Sequence, residues 1–397
     1  MKILFVAMAE SIHTVRWLNQ LRNEGWDLYL FPSYDYPGQH KELNGVKVCI
    51  PFFSIFAWLD KLGLGKYFRF LYVKLANYKK KKSPDYFANR LKRYINSVKP
   101  DMIHSLETQG AGYLVAKVKS EYSLSVPFPK WWHTNWGSDI FLFGRILKEK
   151  PLIRRVLENC DYYSCECTRD IQLARDFGFK GIAFPVYPNT GGFDPKLIDE
   201  FKAKSLLTSE RKLIMLKGYQ GWAGRALVAI RGLERCANLI SKYHLVIYSN
   251  VSGEDVEIAS TFLSQNTGVA VTILPSNTPH KEIMRFHSQA RISIGLSIGD
   301  AISTSLLEAM AMGSFPIQSC TACASEWFTD GVSGIIVSPE DPEVVEKALR
   351  KALSDDILVN SAAEINYRKI IQDANFEILK AKTIQSYRKI LNIDHVQ

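Results

Sequence analysis

The chain contains no apolar stretch of the ~18–20 residues that a membrane-spanning helix needs. Its opening run, Met1–Met8, carries one lysine and turns polar at Glu10, which is not the form of a secretory leader. The protein is therefore expected to stay in the cytoplasm. Cysteines are few, seven in 397 residues, and an odd, scattered set of them excludes a disulfide framework. The close pairs Cys165/Cys167 and Cys320/Cys323 lack a second pair at zinc-finger spacing, so they read as buried, inert thiols. No G-x-G-x-x-G follows the first apolar run, which speaks against a nicotinamide dehydrogenase. No D-x-D occurs anywhere.

What is present describes a folded protein. Hydrophobic residues make up 47% and charged residues 23%, outside the range of disordered chains, and the length suits two domains with separate cores. The formal net charge is +10 and favours an anionic partner. Much of that charge lies in Phe56–Lys82, where Trp58, Tyr67, Phe68, Phe70, Tyr72 and Tyr78 alternate with Lys61, Lys66, Arg69, Lys74 and Lys79–Lys82. Aromatics that enter a headgroup layer while lysines meet anionic lipid have this composition, and an anionic membrane surface is the expected partner. A helix that covers its domain and ends in a solvated charge run has it too. Nucleic acid is not expected, because no recognition motif accompanies the charge.

Short apolar runs alternate with helical patterns along both halves. Strands are expected at Lys2–Met8, Asp27–Phe31, Met102–Leu106, Trp131–His133, Tyr162–Cys165 and Ile182–Val186. Turn formers in Tyr187–Asp194 interrupt the rhythm, which restarts with Leu213–Leu216, His244–Tyr248, Val269–Leu274, Ile292–Leu296 and Phe315–Gln318. Parallel strands need long crossovers, so the pattern predicts an α/β protein of two doubly wound domains. Their ligands would lie beyond the carboxyl ends of the strands, in a cleft between the domains.

The segment Ser297-Ile-Gly-Asp-Ala-Ile-Ser-Thr-Ser-Leu-Leu-Glu-Ala-Met-Ala-Met-Gly313 carries the most chemistry. A strand feeds a loop with Gly299 and Asp300, a helix starts at Ser303, Thr304 and Ser305, and Gly313 caps it. The N–H groups and hydroxyls of that first turn suit a diphosphate. Asp300 and Glu308, eight residues apart, place two acceptor-only carboxylates at different depths, suited to two sets of hydroxyls. An ordinary α/β unit with solvated carboxylates shares the spacing.

This stretch resembles the E-x7-E signature of the family 4 retaining glycosyltransferases of the GT-B fold, bacterial-type enzymes of glycosyltransferase group 1. Leu307-Glu-Ala-Met-Ala-Met-Gly313 with Pro316 is similar to the family's E-A-M-A-x-G-x-P, while Asp300 stands where the first glutamate is usual. Glu326–Val337 resembles the family's next segment, and Pro188-Asn189 with Phe193-Asp194 resembles its P-N-G-V-D linker with two extra residues. The resemblance implies GT-B architecture, two Rossmann-like domains facing a central cleft. An acceptor-binding domain would span 1–190 and a nucleotide-sugar domain 191–375, with a last helix in 376–397 crossing back to the first. It implies that Asp300 holds the donor sugar, Glu308 the ribose, and Lys217 and Arg225 the diphosphate, beside Gly299, Ser303, Thr304 and Ser305. In His133-Thr-Asn-Trp-Gly-Ser-Asp139, similar to an H-G-T-D-I segment, His133, Asn135 and Asp139 become catalytic candidates. Ser11 and His13 after the first strand become contacts for acceptor or phosphate.

The implied activity is hexosyl transfer, with retention, from a nucleotide sugar to a saccharide or lipid-linked acceptor, in bacterial cell-surface glycan or glycolipid synthesis. The enzyme would work peripherally on the inner face of the membrane. Without D-x-D, no metal and no other cofactor is expected beyond the nucleotide-sugar co-substrate. Two alternatives stay open: a sugar-nucleotide epimerase or hydrolase on the same fold, and a non-catalytic carbohydrate-binding protein.

Overall fold

A computed structural model describes the chain except residues 37, 50–58, 60–61, 84, 123–126, 252 and 393–397. The chain divides into two compact units, Met1–Gly191 with Lys380–Gln397, and Gly192–Leu379. In the first, β1 (Lys2–Ala7), β2 (Asp27–Pro32), β3 (Lys47–Val48), β4 (Met102–Leu106), β5 (Lys130–Thr134), β6 (Tyr162–Ser164) and β7 (Ile182–Ala183) form a parallel sheet. Its order is β3-β2-β1-β4-β5-β6-β7. Helices α1 (Ile12–Asn19), α2 (Gly65–Lys82), α3 (Tyr86–Val98), α4 (Tyr113–Lys119), α5 (Lys150–Asn159) and α6 (Thr168–Asp176) lie between the strands in sequence. Helix cover on a parallel sheet buries both faces, which is why β1 reads Lys-Ile-Leu-Phe-Val-Ala and is enclosed after Lys2.

The second unit repeats the plan. Strands β8 (Leu213–Lys217), β9 (His244–Tyr248), β10 (Ala270–Ile273), β11 (Ala290–Gly295), β12 (Phe315–Ser319) and β13 (Ile335–Val337) pair in parallel in the order β10-β9-β8-β11-β12-β13. The helices here are α7 (Pro195–Lys202), α8 (Ala226–Glu234), α9 (Ala237–Ile240), α10 (Glu254–Thr267), α11 (His280–Gln289), α12 (Thr304–Ala311), α13 (Pro342–Ser354) and α14 (Asp356–Asp373). The crossover from β8 to β9 is broken: α8 runs only from Ala226 to Glu234, and the chain turns at Cys236 before α9. Strand β11 starts two residues before the expected Ile292, and its register with β8 shifts at Arg291. The shift lets a buried guanidinium reach the carbonyls of Ala352 and Ser209 and the carboxylate of Asp356, so a central strand tolerates a charge. Cys320 is exposed rather than buried, and Cys49 is half-buried.

Helix α15 (Phe376–Leu391) begins in the second unit and continues in the first from Lys380. Its first turn stays with the second unit because Phe193 bridges to Asn375, and Gly192, at φ +73°, lies where a Cβ would strike the Ala374 carbonyl. Its later residues enter the first unit's core through Tyr387. The Trp17 indole N–H donates to the Tyr387 hydroxyl at 2.8 Å, which contacts His104 Nδ1 at 2.6 Å. An indole only donates, so the phenol proton goes to Nδ1 and the imidazole proton sits on Nε2, 2.7 Å from Thr134 Oγ1. Burial keeps His104 well below the usual histidine range, in keeping with a neutral ring.

A second buried network shapes the loops after β4 and β5. Glu107 takes a left-handed φ of +77°, rare for a residue with a side chain. There its carboxylate accepts the N–H groups of Gly110 (2.7 Å) and Ala111, closing a π-helical turn over Thr108–Gly112. Asp139 Oδ2 accepts from the N–H groups of Thr108 and Trp136, each at 2.8 Å. Burial pushes Glu107 up to about 7, and burial with the neighbouring Glu107 pushes Asp139 up to about 8.

Tyr387→Phe strands the Trp17 N–H and the His104 nitrogen. It is expected to cost about 1–3 kcal/mol in chemical denaturation, and an unchanged unfolding midpoint would show that the relay adds no stability. For the carboxyl pair the sign follows from linkage. A folded state that keeps protons the unfolded chain has released loses stability as pH rises through the folded values, here toward about 7 to 8. Asp139→Asn retains an oxygen for both N–H donors and removes the charge. Its thermal stability, set against that of the wild type, should gain steadily between pH 5 and pH 8.5; parallel profiles would contradict the coupling.

Candidate functional site

In a sheet of order β10-β9-β8-β11-β12-β13 the chain reverses direction of winding between β8 and β11, and that switch point leaves a crevice at the strands' carboxyl ends. Lys217, the last residue of β8, lies there, 9% exposed. Its ammonium donates to Ser303 Oγ at 3.1 Å, stands 3.9 Å from Asp300 Oδ2, and lies 4.2 Å from the centre of the Tyr219 ring. Ser303 is the N-terminal cap residue of α12, and its hydroxyl meets Ser305 Oγ at 2.7 Å. Gly299 is buried beside the half-buried Asp300, and Thr304 is half-buried at the first helical position. The Leu306 N–H is the first to bond back, to the Ser303 carbonyl, so the N–H groups of Thr304 and Ser305 lead the helix. At the other end Gly313, at φ +72°, lets Ser314 N–H return to the Ala309 carbonyl.

Glu308 lies one turn deeper and is buried. His280 Nε2 donates to its Oε1 at 2.7 Å, and His287 Nε2 stands 3.9 Å from its Oε2. The Tyr248 phenol is enclosed in the same place, and burial raises it. Arg225 reaches the same region through its backbone, whose N–H meets the Leu296 carbonyl. Its guanidinium is held by Glu340 at 2.8 Å and by the carbonyls of Gly221 and Gly224. Lys217, Asp300, Ser303, Ser305 and Glu308, the first of them named only through the family resemblance, lie at this one end of the sheet, whereas the sequence carried no sign of His280, His287, Tyr248 or Glu340. Tyr248 ends β9 and the others come from separate connections, so only strand order makes them neighbours.

The first unit has its own switch point, between β1 and β4. Ser11 caps α1 and accepts the His13 N–H at 3.2 Å; the half-buried His13 ring meets the Trp136 ring edge-on, 5.4 Å between centres. Glu10 beside them is raised by burial. The three candidates from the His133–Asp139 segment are all buried. His133 is fully enclosed, bonded to Ser105 Oγ (2.9 Å) and Thr108 Oγ1 (3.0 Å), and burial pushes it down to about 3, so it stays neutral. Asn135 is spent on Asp170 at 3.0 Å and Tyr163 at 2.5 Å. Asp139 is spent on the two N–H groups of its own and the neighbouring loop. Side chains already satisfied inside the core position the loops; it is Trp136, between them in sequence, that reaches the edge.

The sequence profile of the glycosyl transferases group 1 matches residues 198–369, and that of the glycosyl transferase 4-like proteins matches residues 2–165. No curated protein matches the sequence. Among solved structures, sucrose-phosphate synthase from Thermosynechococcus elongatus is similar at TM-score 0.67 and 15% identity, covering 99% of this chain and 100% of that one. Anabaena HepE in complex with UDP-glucose is similar at TM-score 0.68 and 12% identity, covering 98% and 100%. The α,α-trehalose 6-phosphate synthase of Burkholderia multivorans gives 0.68 and 14%, with 99% of each chain covered. At such identities these structures speak for the fold. With one group 1 profile on the second unit, a 4-like profile on the first and a matching architecture throughout, this chain belongs to the group 1 glycosyltransferases of the GT-B fold.

Proposed function

We propose that the protein is a metal-independent, retaining hexosyltransferase whose second unit binds a nucleotide sugar and whose first unit receives a saccharide or lipid-linked acceptor. It would serve bacterial cell-surface glycan or glycolipid synthesis at an anionic membrane. The observation that carries this reading is the buried Lys217 ammonium at the β8–β11 switch point, beside Ser303 and the start of α12. Breaking the bond from the anomeric carbon to phosphate leaves a nucleoside diphosphate carrying growing negative charge. Lys217, the N–H groups and hydroxyls of Thr304 and Ser305, and Ser303 are fixed donors that meet it without reorganising. Arg225 would add its charge by exchanging Glu340 for phosphate. Gly299 lets the backbone approach, Asp300 accepts hydroxyls of the sugar, and Glu308 accepts those of the ribose. HepE, similar in fold, binds UDP-glucose, which supports a nucleotide-sugar donor here. Retention rests on the family resemblance.

For the first unit, Ser11 and His13 at the β1 end are assigned to the acceptor, with Trp136 as an apolar wall. His133, Asn135 and Asp139 are assigned to positioning. Membrane attachment is assigned to α2. Among the described residues, Leu64 just before it and Tyr67, Phe70, Leu75 and Tyr78 within it are exposed, with Lys74 and Lys81 beside them. Trp58 and Lys61 lie outside the described residues. No described helix is long and apolar enough to cross a membrane, so contact would be with the surface.

Glu308→Ala should weaken nucleotide binding by the ~1.5–3 kcal/mol of a charge-assisted hydrogen bond, measured by calorimetry. Asp300→Ala should chiefly lower turnover. Donor affinity and rate unchanged in both would make the motif structural. Sugar transfer should survive EDTA, while Lys217→Ala combined with Arg225→Ala should cost at least ~100-fold in kcat; loss of activity in EDTA restored by manganese or magnesium would refute the metal-free reading. Co-sedimentation with phosphatidylserine-containing vesicles should fall with added salt and with Tyr67→Ser/Phe70→Ser, and equal recovery in the supernatant with and without vesicles would remove the membrane from the proposal.

A further inference from the structure

We infer that His280 is a donor-positioning residue, working through Glu308 to set the carboxylate that reads the ribose, with His287 as the fixed stop behind it; this rests on the assignment of Glu308 to the ribose. Both imidazoles belong to α11, seven residues apart, and so project from the same face, the face that packs along α12. They bracket one carboxylate. A carboxylate only accepts, so the His280 Nε2 that lies 2.7 Å from Oε1 carries the proton. The contact fixes the rotation of a side chain that has three rotatable bonds.

On the other side, His287 is wholly enclosed. Its Nδ1 lies 2.9 Å from Ser293 Oγ, which in turn meets Ser314 Oγ at 2.7 Å. Its Nε2 faces Glu308 Oε2 from 3.9 Å and is buried with no hydrogen-bond partner. Burial also pushes His287 down to about 4, so the ring stands neutral behind the carboxylate. A gap of that size is too narrow for a water and about 1 Å too wide for a hydrogen bond. A short inward movement of Glu308 would bring Oε2 within hydrogen-bond distance of His287 Nε2. His280 is 44% exposed in its side chain, so it forms the outer side of the bracket, where a nucleoside enters; Glu308 at 7% and His287 at 0% form the inner side. An arriving ribose diol needs the carboxylate plane of Glu308 turned toward it. The outer imidazole holds that plane before binding, and the inner one supplies an N–H for the carboxylate as it is pressed inward.

The test uses the full-length protein and the tightest binder among UDP, GDP and ADP, titrated by calorimetry together with its 2′-deoxy analogue. His280→Ala should weaken the ribonucleotide about tenfold and narrow its advantage over the deoxy form, with kcat for transfer within about twofold of the wild type. His280→Gln, whose amide nitrogen takes the place of Nε2, should restore both the affinity and the preference. In the Glu308→Ala background, His280→Ala should add nothing. Ribonucleotide affinity unchanged in His280→Ala, or equal losses for the ribo and deoxy forms, would overturn the role given to His280. Wild-type affinity in Glu308→Ala would instead overturn the ribose assignment beneath it, so the two failures are told apart.

Discussion

An ammonium group withdrawn from water at the end of a β-strand needs negative charge nearby, and much of the second unit is arranged around that need. Lys217 has a hydroxyl, an aromatic face and one carboxylate at 3.9 Å around it. Asp300 is too distant for a tight ion pair, so the ammonium is hydrogen-bonded without being closely neutralised. Under the proposed function the shortfall is filled by the diphosphate of the donor. The strand order matters because only at the reversal between β8 and β11 do a strand end and a helix start leave space for such a group. The cap at Gly313 and the bulge at Arg291 then fix where α12 stops and where β11 begins, and so hold Ser303 and Glu308 in register with Lys217.

The first unit solves a different problem by burying acids instead of a base. Glu107 and Asp139 give up solvation to hold backbone N–H groups of two loops, and Glu107 does so from a strained backbone angle. Unpaired loop amides would be costly in the same place, which offsets part of the burial. The result is a rigid rim after β4 and β5 carrying Gln109 and Trp136 toward solvent. It is a rim whose firmness depends on protons, whereas the second unit's crevice is shaped by hydroxyls and a lysine.

The alternation of apolar runs with helical patterns made both sheets legible except for the short edge strands β3 and β13, since fully buried parallel strands leave nearly unbroken apolar segments such as Ile3–Ala7 and Ile214–Leu216. In the E-x7-E-like stretch loop, helix start and cap are consecutive, so the sequence sets Asp300, Ser303 and Glu308 along one loop–helix unit, while their roles came from the resemblance. Residues that meet across crossovers were not. His280 and Glu308 are 28 positions apart, and nothing local links them. The burial of His133 was not legible, because a polar residue at a strand end looks the same in sequence whether it faces a crevice or a neighbouring serine. The unit boundaries at Gly191/Gly192 and Leu379/Lys380 fell one and four residues past the expected positions 190 and 375. Composition marks a helix's start, whereas contacts decide where along it one body ends and the next begins.

The path of α15 has a bearing on how the protein is made. The first unit is discontinuous in sequence: its core around Trp17, His104 and Trp132 is completed by Tyr387 and Ile390, which follow the whole of the second unit. The second unit is one unbroken segment, Gly192–Leu379. On a ribosome, then, the half that emerges first is the last able to close. Until α15 arrives, its aromatic hub stays open to solvent and to chaperones, while the half made later can already have folded.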